Sequence, residues 1–148
     1  MTPAQQSALE ALVGRPLEAG ELALAWARLD GALADSLSAG RTAVGSYWLT
    51  DRGLVTDLTA ATGNTAMSDS ILAKLDGAAA ASRSVQAVTN RLYHDARGVD
   101  FGNGDLRTWI TASTPALFTE AERDALLALA VQPAPLSTDA VSAILNGA

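Results

Sequence analysis

Signals that start and stop helices follow one another so closely in this sequence that only short helices fit between them. Thr119 is followed three residues later by Glu122 and then by an apolar run. That pattern is typical of a capping box at a helix N-terminus. The sequence Gln132-Pro133-Ala134-Pro135 ends this helix, because proline lacks a backbone N–H and clashes with the preceding turn. Ser137-Thr138 then opens a last short helix.

The first third of the chain carries the same kind of pattern. Thr2-Pro3 is typical of an N-cap followed by proline at the first helical position. An apolar stripe then recurs at helical spacing: Leu22, Trp26, Leu29, Leu33 and Leu37. The stripe predicts one amphipathic helix that begins between residues 17 and 21 and ends before Gly40. It places Trp26 in the core.

The least helical segment is 41–49, which carries Val44, Tyr47 and Trp48 beside Gly45. Two structures are compatible with it, a short extended piece or an aromatic-bearing loop. Aromatic residues make up only 5% of the chain, so most of them are expected in the core. Tyr47 and Trp48 are the exception: we predict them as partner-contact residues, because tyrosine and tryptophan are enriched at interface hot spots.

These patterns predict an all-α fold. The chain has 148 residues, of which 49% are apolar and 18% charged, which favours one folded domain over a disordered chain. We expect a single compact domain over residues 1–148, with about six to eight short helices, no regular strand, and one irregular aromatic-bearing segment at about 41–49.

Charge and cysteine content exclude several classes of protein. The net charge is −6 and the ten basic residues are spread along the chain, which disfavours sequence-specific binding to nucleic acid. The absence of cysteine excludes disulfides and thiolate zinc sites. No apolar stretch is long enough to span a membrane, and the N-terminus does not have the pattern of a signal peptide.

Residues capable of chemistry are few. His94 lies beside Asp95, but adjacent helical residues point about 100° apart and do not face each other. The loop from Asp100 to Asp105 contains the letters DFG without the other kinase motifs, and it lacks most ligands of a calcium loop. We therefore predict no catalytic residue, no metal and no cofactor. An enzyme that uses His94, Asp100 or Asp105 is the disfavoured alternative.

Three strings carry a resemblance to a known group of proteins. They are GRTAVGSYWLTDRGL (40–54), RGVDFGNGDLRTWI (97–110) and LFTEAERDALLALAVQPAPLSTDAVSAIL (117–145). Together they resemble small uncharacterised helical proteins encoded in the structural (tail or neck) gene clusters of tailed bacteriophages and prophages. The resemblance covers the last two-thirds of the chain.

This resemblance implies a non-enzymatic virion structural protein, made in the bacterial host cytoplasm and acting by protein–protein contact in a symmetric assembly. Its place would be the tail, the tail-fibre base, the neck or the capsid exterior. Its partners would be other phage structural proteins, and it would be oligomeric in the particle. The alternative is a cytosolic helical assembly factor or regulator that binds a phage structural protein without entering the particle.

Overall fold

Most helices begin after a short polar side chain of serine, threonine or asparagine. A computed structural model describes residues 1–147 and is mostly helical, as predicted. The helices of this described part are α1 (Pro3–Val13), α2 (Ala19–Trp26), α3 (Asp30–Ser38), α4 (Asp51–Thr62), α5 (Ala66–Ala79), α6 (Arg83–His94), α7 (Gly104–Ala112), α8 (Glu120–Ala128) and α9 (Thr138–Asn146). None of these helices is long and apolar enough to cross a membrane.

The predicted N-caps are confirmed. The Thr119 hydroxyl accepts a hydrogen bond from the Glu122 backbone N–H at 3.2 Å, and the Glu122 carboxylate accepts one from the Thr119 N–H at 2.9 Å. Thr2 caps α1 in the same reciprocal way with Gln5, and Ser137 caps α9. Each cap satisfies backbone donors that have no partner within the helix.

The fold is not strictly all-α, because residues 1–147 include four short strands. They are β1 (Thr42–Val44), β2 (Trp48–Leu49), β3 (Val99–Asp100) and β4 (Val131–Pro133). β1 pairs with β4, and β2 pairs with β3 in antiparallel register. The prediction of no regular strand was therefore wrong, and segment 41–49 takes the extended alternative at both of its ends. The helix count within the described residues is nine, above the predicted six to eight.

The predicted helix between residues 17 and 40 is two helices. Arg28 adopts a left-handed backbone conformation with φ 57°, which no helix interior accepts, and the chain turns there between α2 and α3. Trp26 then ends α2 with its side chain 65% exposed, so its predicted place in the core was wrong. The apolar stripe continued across the break, which is why spacing alone did not reveal it.

Residue contacts divide the chain into two compact units. Unit 1 comprises Met1–Ala43 with the C-terminal segment from Gln132, and unit 2 comprises Val44–Val131. The single domain over residues 1–148 stays a prediction.

The core of unit 1 is built by α1, α2, α3 and α9. Its fully buried side chains are mostly leucine and alanine: Leu9, Ala25, Leu33, Ala34 and Val141 are each at most 1% exposed. Gln5 on α1 donates its amide to the Leu145 carbonyl at 2.9 Å, which satisfies a carbonyl at the end of α9.

The core of unit 2 contains the larger side chains. α5 packs against both α4 and α6, and α7 packs against α8. Phe101 and Phe118 are buried together with leucines and isoleucines from these helices. This core supports the surface described next.

Candidate functional site

The candidate site in unit 2 is built around the pairing of β2 with β3. Trp48 lies opposite Asp100, and Leu49 lies opposite Val99. Glycines before and after β3 permit the backbone of segment 41–49 to approach closely. Gly98 has φ +78°, and a Cβ there would overlap the Leu49 carbonyl. A Cβ at Gly102 would likewise overlap a backbone carbonyl, that of Gly45. Gly98 and Gly102 are therefore required by packing.

The Asp100 carboxylate fastens this pairing. Its Oδ1 accepts hydrogen bonds from the backbone N–H groups of Tyr47 at 2.8 Å and Gly102 at 2.9 Å, and its Oδ2 accepts one from the Ser46 hydroxyl at 3.3 Å. The Tyr47 N–H is the main cause of a lowered pKa for Asp100, and it outweighs the opposing effect of burial. A carboxylate held in this way is a structural group with little capacity left to accept a substrate proton.

A cleft opens beside this pairing, between α6 and α7. Its volume is about 380 Å³. Its walls combine apolar and charged side chains, among them Trp48, Val88, Arg91, Asp105, Leu106 and Trp109. This volume lies in the range of sites that accept a small ligand or a partner's side chain.

Each of the two tryptophans of the cleft has a ring contact within unit 2. Trp109 meets Phe118 edge to face, with ring centroids 5.8 Å apart and an interplanar angle of 88°. The Arg97 guanidinium lies 4.3 Å from the centre of the Trp48 ring, a cation–π contact. The walls are therefore preorganised, which lowers the entropic cost of binding.

Two charged side chains in the cleft are available to a ligand. Within residues 1–147, neither the Arg91 guanidinium nor the Asp105 carboxylate makes a hydrogen bond or an ion pair. Asp105 lies in the first turn of α7, where the helix dipole favours a negative charge. The cleft thus offers a cation on the α6 side and an anion on the α7 side.

The predicted partner-contact residues Tyr47 and Trp48 have different environments. The Tyr47 hydroxyl donates a 2.6 Å hydrogen bond to the Asp57 carboxylate, and its ring packs against the core of unit 2. Trp48 points the other way and is 42% exposed. Partner contact stays a prediction for both residues, and Trp48 is the one whose side chain is accessible.

The residues considered for catalysis do not come together. His94 is exposed, its imidazole makes no hydrogen bond to any residue in 1–147, and it is not among the residues that line the cleft. Its ring centroid lies 6.4 Å from that of Tyr93. Asp100 and Asp105 both border the cleft, but the Asp100 carboxylate already accepts hydrogen bonds from two backbone N–H groups. That the chain is not an enzyme stays a prediction.

Sequence reasoning missed most of the cleft. Val88 and Arg91 were given no place in a surface, and Trp109 was expected in the core, like most aromatic residues. No periodic signal marks these residues as neighbours, since the contact depends on the pairing of β2 with β3. Asn103 was also missed as the cap of α7: its side chain accepts hydrogen bonds from the backbone N–H groups of Asp105 and Leu106.

Unit 1 carries a second exposed aromatic surface. Trp26 is 65% exposed and Leu29 is 54% exposed, and they flank the turn at Arg28. α2 buries Ala25 and Glu21 instead, so the side chain next to Ala25 turns to solvent. An exposed tryptophan of this kind is a candidate contact residue.

Among residues 1–147, no group of three or more histidine, cysteine, aspartate or glutamate side chains is arranged to hold a metal ion. Comparison of the chain with protein-family models, with curated proteins and with solved structures finds no match.

Proposed function

We propose that this chain is a non-enzymatic structural protein of a bacteriophage virion that works by protein–protein contact in a symmetric assembly. The observation that carries the proposal is a pair of exposed tryptophans, Trp26 in unit 1 and Trp48 in unit 2. The three strings that resemble phage structural proteins support the biological setting. Tryptophan is the residue type most enriched at interface hot spots, and both side chains leave apolar surface uncovered.

Two separate contact surfaces suit repeated assembly. A head-to-tail contact joins one surface of a subunit to a different surface of the next, and it closes into a ring when the rotation between subunits allows. A tail, tail-fibre base, neck or capsid accessory protein would all use such contacts. The number of copies per particle separates a ring component from a capsid component.

Mass spectrometry of purified particles tests the proposal. We expect the chain in gradient-purified virions at a fixed ratio to the other structural proteins. Its presence in the host lysate but absence from particles would refute the proposal and favour the alternative, an assembly factor that binds a phage structural protein without entering the virion.

A variant test connects the function to the surface. Trp48→Ala should reduce incorporation into particles, whereas Val131→Ala, which removes a comparably exposed apolar side chain at 42% exposure, should not. Circular dichroism of the two purified variants controls for folding. Equal incorporation of both variants would remove Trp48 as the anchor of the contact.

A further inference from the structure

We infer that copies of this chain associate head to tail, with Trp26 of one copy entering the cleft between α6 and α7 of the next. The inference rests on the proposed function, a protein that acts by contacts in an assembly, and it names the contact between its copies. The observations behind it are an aromatic-walled cleft without an occupant side chain and an exposed tryptophan in the other unit.

Shape and chemistry match on the apolar side. The cleft holds about 380 Å³ between Trp48, Trp109, Val88 and Leu106, which leaves room for an indole and its neighbouring atoms. Trp26 is the most exposed large apolar side chain of the described residues, at 65%. Insertion would cover both apolar surfaces and would bring indole rings together, an arrangement that stabilises aromatic pairs.

A charge match accompanies the apolar match. Arg28 follows Trp26 by two residues. The cleft carries Asp105, which is opposite in charge to Arg28 and has no ionic partner within residues 1–147.

Arg28 is the charge beside Trp26 that another copy can reach. Its side chain is 47% exposed, its contact with Asp30 is long at 3.3 Å, and it donates a 2.6 Å hydrogen bond to the Asn146 side chain. The Asp30 side chain is 14% exposed and accepts a 2.7 Å hydrogen bond from the Ser142 hydroxyl, so it stays bound within its own copy. Arg28 of one copy can therefore face Asp105 of the next. Such charge complementarity fixes register and disfavours the wrong partner more than it adds affinity.

The contact is small, so it should be weak between isolated copies. Interfaces that bury less than about 1,200 Å² are typical of transient association. In a ring each copy makes the contact twice, and tethering to other virion proteins raises the effective concentration further. Weak association of the free protein and a stable assembly in the particle are therefore compatible.

Fluorine NMR of the full chain tests the contact. The three tryptophans can be labelled with 5-fluorotryptophan and assigned with single Trp→Phe variants. As the protein concentration rises to roughly 1 mM, we expect the resonances of Trp26 and Trp48 to shift together, with a midpoint in the range of weak complexes. Resonances that do not change with concentration would overturn the inference.

A complementation experiment separates a head-to-tail contact from a symmetric one. Trp26→Ala keeps an intact cleft, and Trp48→Ala keeps an intact Trp26. At the highest concentration of the fluorine NMR series, where the wild type associates, each variant alone should stay monomeric by sedimentation velocity. Their mixture should form a one-to-one dimer that grows no further, whereas the wild type forms larger species. If the mixture stays monomeric, or if either variant alone associates as the wild type does, the inference fails.

Charge variants provide a second readout that does not alter the tryptophans. Asp105→Arg should weaken self-association at least about tenfold, because a like charge would then face Arg28. Asp105→Glu should retain most of it, and Val131→Ala should leave it unchanged. Self-association that fails while the chain is present in virions would refute this contact only. Self-association of a chain that never enters virions would refute the proposed function only.

Discussion

Replacing Glu21 by glutamine measures how much one buried carboxylate stabilises unit 1. Glu21 is 3% exposed at the start of α2. It accepts two hydrogen bonds from the Arg15 guanidinium, at 2.7 and 2.9 Å, and one from the Glu18 backbone N–H at 2.8 Å. Glutamine keeps the size of the side chain. It replaces one acceptor oxygen by an NH₂ group that faces an arginine donor, so one hydrogen bond and the ionic attraction are lost.

The magnitude follows from the pKa of Glu21. The hydrogen bonds from Arg15 are the main cause that lowers it from 4.5 to about 2, against the opposing effect of burial. At 1.36 kcal/mol per pKa unit, this lowering corresponds to roughly 3 kcal/mol. Because the Arg15 side chain is 40% exposed, solvent screening reduces the contribution to about 2 kcal/mol. Glu21→Gln should therefore lower the free energy of unfolding by about 2 kcal/mol at pH 7.

The pH dependence separates charge from shape. The pKa of Glu21 is lower in the folded state than in the unfolded state, so its contribution is complete above pH 4.5 and is lost as the pH falls toward 2. In urea unfolding followed by circular dichroism, the difference between wild type and Glu21→Gln should shrink over that window. Asp35→Asn, an exposed carboxylate on α3, is the matched control and should show almost no difference. A wild-type–variant difference that stays constant from pH 7 to pH 2 would refute the ionic explanation.

Three further predictions concern unit 2. Gly98→Ala should lower the free energy of unfolding by at least about 2 kcal/mol in thermal denaturation, since Gly98 has a positive φ and an added Cβ would overlap β2. Gly77 lies in open space within α5, so Gly77→Ala should raise the free energy of unfolding by about 0.5–1 kcal/mol. Equal effects of the two substitutions would contradict the geometry. Glu122→Ala should cost about 3 kcal/mol in urea unfolding, because it removes the carboxylate that accepts from the Thr119 N–H in the capping box and makes the 2.6 Å contacts with α5; Glu122→Gln should cost less. The hydrogen bond to Asp57 raises the pKa of Tyr47, so in an ultraviolet pH titration Tyr47 should ionise with a pKa above 10. Asp57→Asn should lower this pKa toward 10. A pKa unchanged by that substitution would exclude the hydrogen bond as the cause.

Local features of the fold were predictable from the sequence. The caps at Thr2, Thr119 and Ser137 depend on side chains within three residues of the backbone groups that they bind, so a short window contains the whole interaction. Glu122 makes one contact that a short window of sequence contains and one that it does not. Its reciprocal bond with Thr119 was predicted, but its contact with Lys74 joins residues 48 positions apart and has no local signal.

The errors have the same physical origin. The turn at Arg28 requires a left-handed backbone conformation, whose free-energy cost only tertiary packing can offset. Tertiary packing leaves no local signal, so an uninterrupted apolar stripe predicted one helix where there are two. The cleft was missed because Trp48 and Trp109 reach it from different parts of the chain. What the sequence did contain was a reason for Tyr47 and Trp48 to differ: neighbouring residues of an extended segment point to opposite faces.

The β2 and α7 walls of the cleft lie in the strings that resemble phage proteins. Trp48 lies in the string at 40–54, and Gly98, Asp100 and Trp109 lie in the string at 97–110. Gly98 permits the pairing of β2 with β3, and the other three residues line the cleft. The α6 wall of the cleft lies outside all three strings, and so does Trp26. A protein that shares the strings and the α6 wall but not Trp26 would keep the receiving cleft and lack the inserting tryptophan, so it should bind the Trp48→Ala variant of this chain without associating with itself.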